Sequence, residues 1–141
     1  MQIEENKRIV RRYFEQVVNQ CQLEMAAEVL TAEMVAHLEP RLKMRQKAVP
    51  DWDVAIERQV AEGDIVVTIG TTRGTHTGEW FTPIGTLAPT GKHFAFTFTS
   101  TMRLEGGRIA QIAWSNWDWL ELLQQLEVVP RTVVSEDEEE G

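Results

Sequence analysis

One carboxyl group in this chain has unusual company. Asp118 closes the run Trp114-Ser115-Asn116-Trp117 and is followed by Trp119. Read as a strand of period two, Asp118 shares a face with Asn116, Trp114 and Ile112. Indole rings solvate an anion poorly, so this setting favours the neutral acid and raises its pKa from about 3.9. A carboxylate tuned in that direction can take a proton from an activated methylene and return it to a new alkoxide. Asp118 also directly precedes a segment of helical spacing, Trp119 to Leu126, and aspartate is a favoured N-cap. Pocket acid and helix cap are both open to it.

Other candidates surround a pocket less directly. Tyr13, the only tyrosine, borders the apolar face of the first helix. Its hydroxyl either reaches into a pocket to stabilise an oxyanion or packs in the core with a wet tip. Trp114 and Trp117 suit core packing and equally suit a planar aromatic ligand. The three histidines, His37, His76 and His93, are not at metal-ligand spacing, and the single cysteine offers no partner, so no metal site is expected. His76 belongs either at a pocket mouth or on a strand edge, and His93, starting a strand, belongs on the surface.

The elements that must position these residues follow from periodicity. From Ile3 to Gln20, the residues Ile3, Val10, Phe14, Val17 and Cys21 form one apolar face of a helix. Residues 19–22 read as a tight corner before a second helical stretch, Leu23 to Leu30. Thr31 can cap a further turn before Val35 to Leu38 straighten the chain. Between Pro40 and Pro50, RLKMRQKAV fits a basic-edged strand or a short helix, and is best read as a solvated connection. From Trp52 the period changes to two. Ile65 to Thr72 is rich in β-branched residues and predicts a strand. Residues 78–92 read as a long loop. His93 to Leu104 and Ile109 to Trp117 form a hairpin around Glu105-Gly106-Gly107-Arg108. Helices first and antiparallel strands after predict an α+β fold, with a curved sheet wrapped around the N-terminal helices and a pocket at one end.

Bulk properties narrow the classes further. The length of 141 residues fits one domain, taken as residues 1–130, with 131–141 as an acidic tail. The formal charge is −8, and five of the acids lie in residues 135–141, which leaves −3 for the rest. Net acidity argues against nonspecific nucleic-acid binding. No apolar run is long enough to span a membrane, and the polar start MQIEENKR is not a signal peptide. One cysteine fits a reducing cytoplasm.

Five segments in order carry a resemblance. NKRIVRRYFEQVVNQ, VAEGD before a β-branched strand, RGTHTGEW after it, TGKHFAF leading to RLEGGRI, and the closing WSNWDWLELLQQL resemble the SnoaL-like polyketide cyclases, within the cone-shaped nuclear transport factor 2-like fold. The resemblance covers roughly residues 5–127. It implies cofactor-free ring closure by intramolecular aldol condensation of aromatic polyketide esters, with Asp118 at the position of the acid–base aspartate. It also implies a homodimer, here through the outer sheet face where Thr97, Thr99 and Thr101 alternate. His37 matches a family histidine, either as a partner for a substrate carbonyl or as a residue satisfied by backbone. The aspartate usual before it is Ala36. His76 lies within the RGTHTG match.

Departures from the family pattern bear on the pocket. Cys21 replaces a corner glycine, Ala113 an acid, and Glu121 and Glu127 replace glycines. The stretch between Pro40 and Pro50 is shortened and is expected to lack much of a covering helix. Gly70 stands where a Trp is usual and Phe98 where a Gly is usual, as though bulk had crossed between neighbouring strands. The expected site is therefore catalytic Asp118 and His37, with Tyr13, Trp114, Asn116, His76 and Phe98 binding a small hydrophobic carbonyl compound. A noncatalytic module binding a flat hydrophobic ligand is the alternative, and an interaction domain with a filled cavity is a third reading.

Overall fold

The computed structural model describes residues 2–130, with every side chain of these except Trp114 and Ser115; the acidic tail 131–141 lies outside the described residues. Helix α1 spans Gln2–Arg12, with Glu4 and Glu5 in its first turn and Arg11 and Arg12 in its last, charges that complement the helix dipole. It continues as a π-wound segment, Tyr13–Asn19. The wider winding turns Tyr13, Phe14, Val17 and Val18 all inward. The helix stops at Cys21, which holds φ 54, a left-handed corner that a side-chain-bearing residue rarely adopts. Asn19 pins this corner to the sheet: its amide donates to the Val54 carbonyl at 2.9 Å and accepts from the Val54 amide at 2.8 Å.

After a 3₁₀ turn, Leu23–Met25, comes the short helix α2, Ala26–Val29. Helix α3 then runs from Ala32 to Ala48, with the Thr31 hydroxyl accepting from the Met34 amide at 3.3 Å. This corrects the reading of residues 35–50. The chain does not straighten at Val35, and RLKMRQKAV is no solvated connection but the second half of a 17-residue helix with Pro40 inside it. Proline removes one amide donor, which leaves the Ala36 carbonyl without its helical partner. Both Ala36 and Pro40 are exposed, so water can take over that carbonyl, and the helix continues.

The sheet is antiparallel throughout, in the order β1 (Asp53–Glu62), β2 (Ile65–Thr75), β5 (His93–Glu105), β6 (Arg108–Trp117). Residues 78–92 are not bare loop: β3 (Trp80–Thr82) and β4 (Gly85–Leu87) pair as a small hairpin that buries Trp80 and Thr82. The alternation along β5 is the expected one, with Phe94, Phe96, Phe98, Ser100, Met102 and Leu104 buried. Irregularities near Glu57 in β1 and at Ala110 and Ala113 in β6 curve the sheet. The concave face receives α1, its π segment and α3, and α4 (Trp119–Gln125) closes one end with Leu122 and Leu123 buried. Gln125 fastens α4 to β5 by bonds to both the amide and the carbonyl of Ala95, each 2.8 Å. Among the described residues no helix is long and apolar enough to cross a membrane.

Gly70 and Phe98 do face each other across β2 and β5. Yet the glycine answers to more than the ring. A Cβ at Gly70 would lie 2.9 Å from the Phe98 ring and would collide outright with the Ala55 carbonyl oxygen on β1. Gly70→Ala should therefore cost about 1–3 kcal/mol of unfolding free energy. Adding Phe98→Leu should recover only a minor part, because the backbone oxygen stays in place. Full recovery in urea titrations would assign the constraint to the ring alone.

Candidate functional site

Two adjoining spaces lie between the helices and the sheet. An inner chamber of about 80 Å³ is walled by Phe14 and Tyr13 from the π segment, Phe96, Phe98 and Ser100 from β5, and Trp52. An open cleft of about 670 Å³ runs outside it between α3 and β6, past Met34, His37, Arg41, Asn116 and Trp119. Tyr13, Arg45, Ile112 and Trp117 line both, so the two spaces share those four side chains as a common wall. An apolar cavity of about 150 Å³ accommodates benzene. The chamber alone is therefore too small for a ring, whereas the cleft is the size of ordinary ligand sites. The expected pocket at one end of the sheet is in fact a small chamber and a larger cleft side by side.

Aromatic rings fill the end of the sheet beside the chamber. Trp52 meets Trp80, Phe94, Phe96 and Trp117 at centroid distances of 5.9–6.1 Å. Phe96 stacks on Trp117 at 4.5 Å, and Trp117 meets Trp119 at 4.4 Å with the rings tilted by 38°. These planar walls are what a flat conjugated ligand would lie against.

The strongest charge in the site comes from a residue that the sequence reading placed on a solvated connection. Arg45, in the last turns of α3, sets its guanidinium 4.2 Å above the Trp52 ring, a cation–π contact. It makes no salt bridge and no side-chain hydrogen bond among the described residues. Burial lowers its pKa from the usual arginine value, while the neighbouring Tyr13 and Cys21 act in the opposite sense. For Tyr13, burial raises the pKa above 10, and Arg45 opposes the shift. The phenol is therefore a protonated donor at neutral pH. A signal for Arg45 was present in the sequence. Met34, Leu38, Leu42 and Arg45 fall within about one quarter of a helical turn once α3 is allowed to run through Pro40.

The expected site residues separate into three groups. Tyr13 and Phe98 line the chamber. His37 and Asn116 are exposed and line the outer cleft, His37 from within α3 rather than from a strand end. The others lie apart. His76 is wholly buried but lines neither space. Its Nδ1 is 3.0 Å from the Thr90 hydroxyl, its ring is 5.6 Å from Trp80, and its Nε2 has no partner. Burial lowers its pKa, so it is a neutral clasp for the 78–92 segment. The side chain of Trp114 lies outside the described residues.

Asp118 is exposed and lines neither space. Its carboxylate accepts from the Glu121 amide at 3.0 Å and caps α4. The expected position among indoles on one strand face fails for a geometric reason. Met102 pairs with Ile112 but Thr101 with Trp114, so Ala113 is an extra residue. One extra residue reverses the alternation. The position opposite inward Phe98 is then Trp117, while Asn116 lies opposite Thr99.

This architecture, a curved antiparallel sheet closed around N-terminal helices, is the nuclear transport factor 2-like α+β fold. A family model described as SnoaL-like polyketide cyclase matches residues 8–126, and the chain belongs to that family. Solved structures agree on the fold. TsrD from Streptomyces laurentii superposes with a TM-score of 0.80 at 18% identity, covering 89% of this chain and 97% of that one. A putative polyketide cyclase, IdmH from Streptomyces antibioticus, gives 0.71 at 24% identity, with 86% and 98% covered. A Mycobacterium tuberculosis epoxide hydrolase described as LEH-like gives 0.66 at 15% identity, with 89% and 87% covered. No curated protein matches the sequence itself.

Because Tyr13 is the only tyrosine, its ionisation can be read directly by absorbance near 295 nm. The midpoint should lie above 10 in the folded protein. A phenol whose folded pKa is raised gives stability that is complete below about pH 10 and is lost as pH rises through the folded value. The same titration should therefore be accompanied by falling stability above about pH 10. A midpoint at or below 10 in folded protein would remove the buried phenol from the site.

Proposed function

We propose that this protein takes a small, flat hydrophobic carbonyl compound into the cleft between α3 and β6 and performs cofactor-free acid–base chemistry of the aldol type on it. The observation that carries the reading is the wall shared by cleft and chamber, where Tyr13 and Arg45 stand beside Trp52 and Trp117. A carbonyl oxygen placed there meets two donors able to hold the negative charge of an enolate or alkoxide. The conjugated substrate spreads the rest of that charge over its own carbonyls.

Asp118 is the proposed proton carrier. Trp117 and Trp119, on either side of it, both line the cleft. To act, its carboxylate must exchange the Glu121 amide for the substrate, at roughly the worth of one N-cap, about 1 kcal/mol. It would then take a proton from a methylene flanked by carbonyls and return it to the alkoxide formed when the carbanion closes the ring, with no net proton change. His37 and Asn116 are placed to bind polar groups of the ligand that remain in the cleft. Phe98 shapes the chamber floor.

One observation favours a second reading, a binding module without catalysis. The capping bond leaves the Asp118 carboxylate directed at its own helix. Asp118→Asn separates the two, because asparagine caps a helix about as well as aspartate but cannot accept a proton. With a poly-β-ketone ester as probe, the thermal midpoint should stay nearly unchanged while turnover falls by about 10²- to 10⁴-fold. Undiminished turnover defeats the catalytic role of Asp118. Saturable binding with no product from the native protein establishes the second reading.

A homodimer formed through the outward Thr97, Thr99 and Thr101 of β5, in a reducing cytoplasm, completes the proposal. Sedimentation at micromolar concentration should give twice the chain mass. A monomer mass sets the dimer aside.

A further inference from the structure

Arg45 raises a question that aldol chemistry on a neutral ester does not answer. Arg45 is half-buried against the Trp52 ring, and a guanidinium withdrawn in part from water loses solvation that an anion would restore. The nearest titratable groups are Tyr13 and Cys21, a phenol and a thiol rather than carboxylates. Two further polar atoms in the same chamber wall lack partners. The indole Nε1 of Trp52, a residue 8% exposed, and the hydroxyl of Ser100, 1% exposed, are buried without a hydrogen bond. Buried donors are nearly always satisfied, so two orphans on residues that line the same chamber as Arg45 call for an explanation.

We infer that the chamber is a carboxylate subsite, and that the compound held by this protein is a free aromatic or polyketide acid whose carboxylate meets Arg45, with Trp52 and Ser100 supplying neutral donors. This deepens the reading of the cleft and chamber as the ligand site and rests on it. The chamber volume of about 80 Å³ matches the role, since it admits a carboxylate and its attached carbon but not the ring that bears them. The ring then lies in the cleft against Trp117 and Trp119. Guanidinium and carboxylate are both planar and can pair through two parallel bonds; a phosphate can pair with arginine in the same way, but its third oxygen and second charge would need further donors that Trp52 and Ser100 alone do not supply. The cation–π contact of Arg45 with Trp52 holds the guanidinium in position before the ligand arrives.

The test is calorimetric titration of the full chain with 2-naphthoate, its methyl ester and 2-naphthyl phosphate. The acid should bind at least about 10-fold more tightly than the ester and more tightly than the phosphate. Arg45→Met, which keeps the length of the stem, should weaken the acid by about 10- to 100-fold and the ester by at most a few-fold, since the ester loses one bond to a neutral carbonyl and the acid loses an ion pair. Ser100→Ala, a smaller change inside the sheet, should weaken the acid alone by a few-fold and serves if Arg45→Met does not fold. Equal binding of acid and ester by the native protein overturns the carboxylate subsite but keeps the cleft as a ligand site; water alone would then satisfy the orphan donors. Tighter binding of the phosphate overturns the choice of anion. Binding of none of the three defeats the cleft as a ligand site and this inference with it.

Discussion

The concave face of β5 is the surface on which the rest of the molecule depends. Six alternate residues from Phe94 to Leu104 point inward along a single strand. The strands on both sides, the π segment and α4 all pack against or beside that row. A sheet curved enough to surround helices cannot have every inward position filled by large rings. Here Phe96 and Phe98 are large, whereas Ser100 is small and polar, and the chamber lies against that small residue. The hollow follows from the order of side-chain sizes along one strand, and the irregularities in β1 and β6 supply the bend that makes it concave.

Within that hollow, polarity is concentrated at one end. Tryptophans and phenylalanines in mutual contact form an aromatic wall, and the protein sets one guanidinium and one phenol where chamber and cleft share a wall. Their effects on each other are opposed to those of burial. Burial raises the phenol pKa and lowers that of the guanidinium, and each neighbour moves the other partly back. The result at neutral pH is a neutral donor beside a cationic one. Such a pair tolerates an apolar ligand body and rewards a single oxygen-rich group at the correct depth.

The sequence carried most of the fold because its signals were local. Alternation along β5, the β-branched run of β2, the glycine hairpin after Leu104 and the apolar face of α1 are each set by neighbouring residues, and each appears where periodicity places it. The losses came where one residue type overruled its neighbours. Pro40 signalled a break in α3, yet an exposed proline in a long helix loses one amide bond that water can replace, so the helix and its inward Arg45 went unseen. The small hairpin at Trp80 was hidden by glycines and prolines that read as loop. Asp118 was recognisable as both pocket acid and cap, and the geometry observed is that of the cap. Tyr13 and Phe98 lie where a pocket was expected, while buried His76 was invisible as a clasp because its contacts come from residues far along the chain.

The extra residue at Ala113 has a consequence beyond this molecule. Between Ala110 and Ala113 an even position, Ile112, lies opposite an inward residue of β5; beyond Ala113 an odd one, Trp117, does. A lineage that gains or loses a single codon there can swap which half of the strand looks inward and which looks out, while β1, β2 and β5 keep their pairing. Interior chemistry would then change in one genetic step with the scaffold left intact, a cheap route by which sparsely similar relatives diverge in what they accommodate.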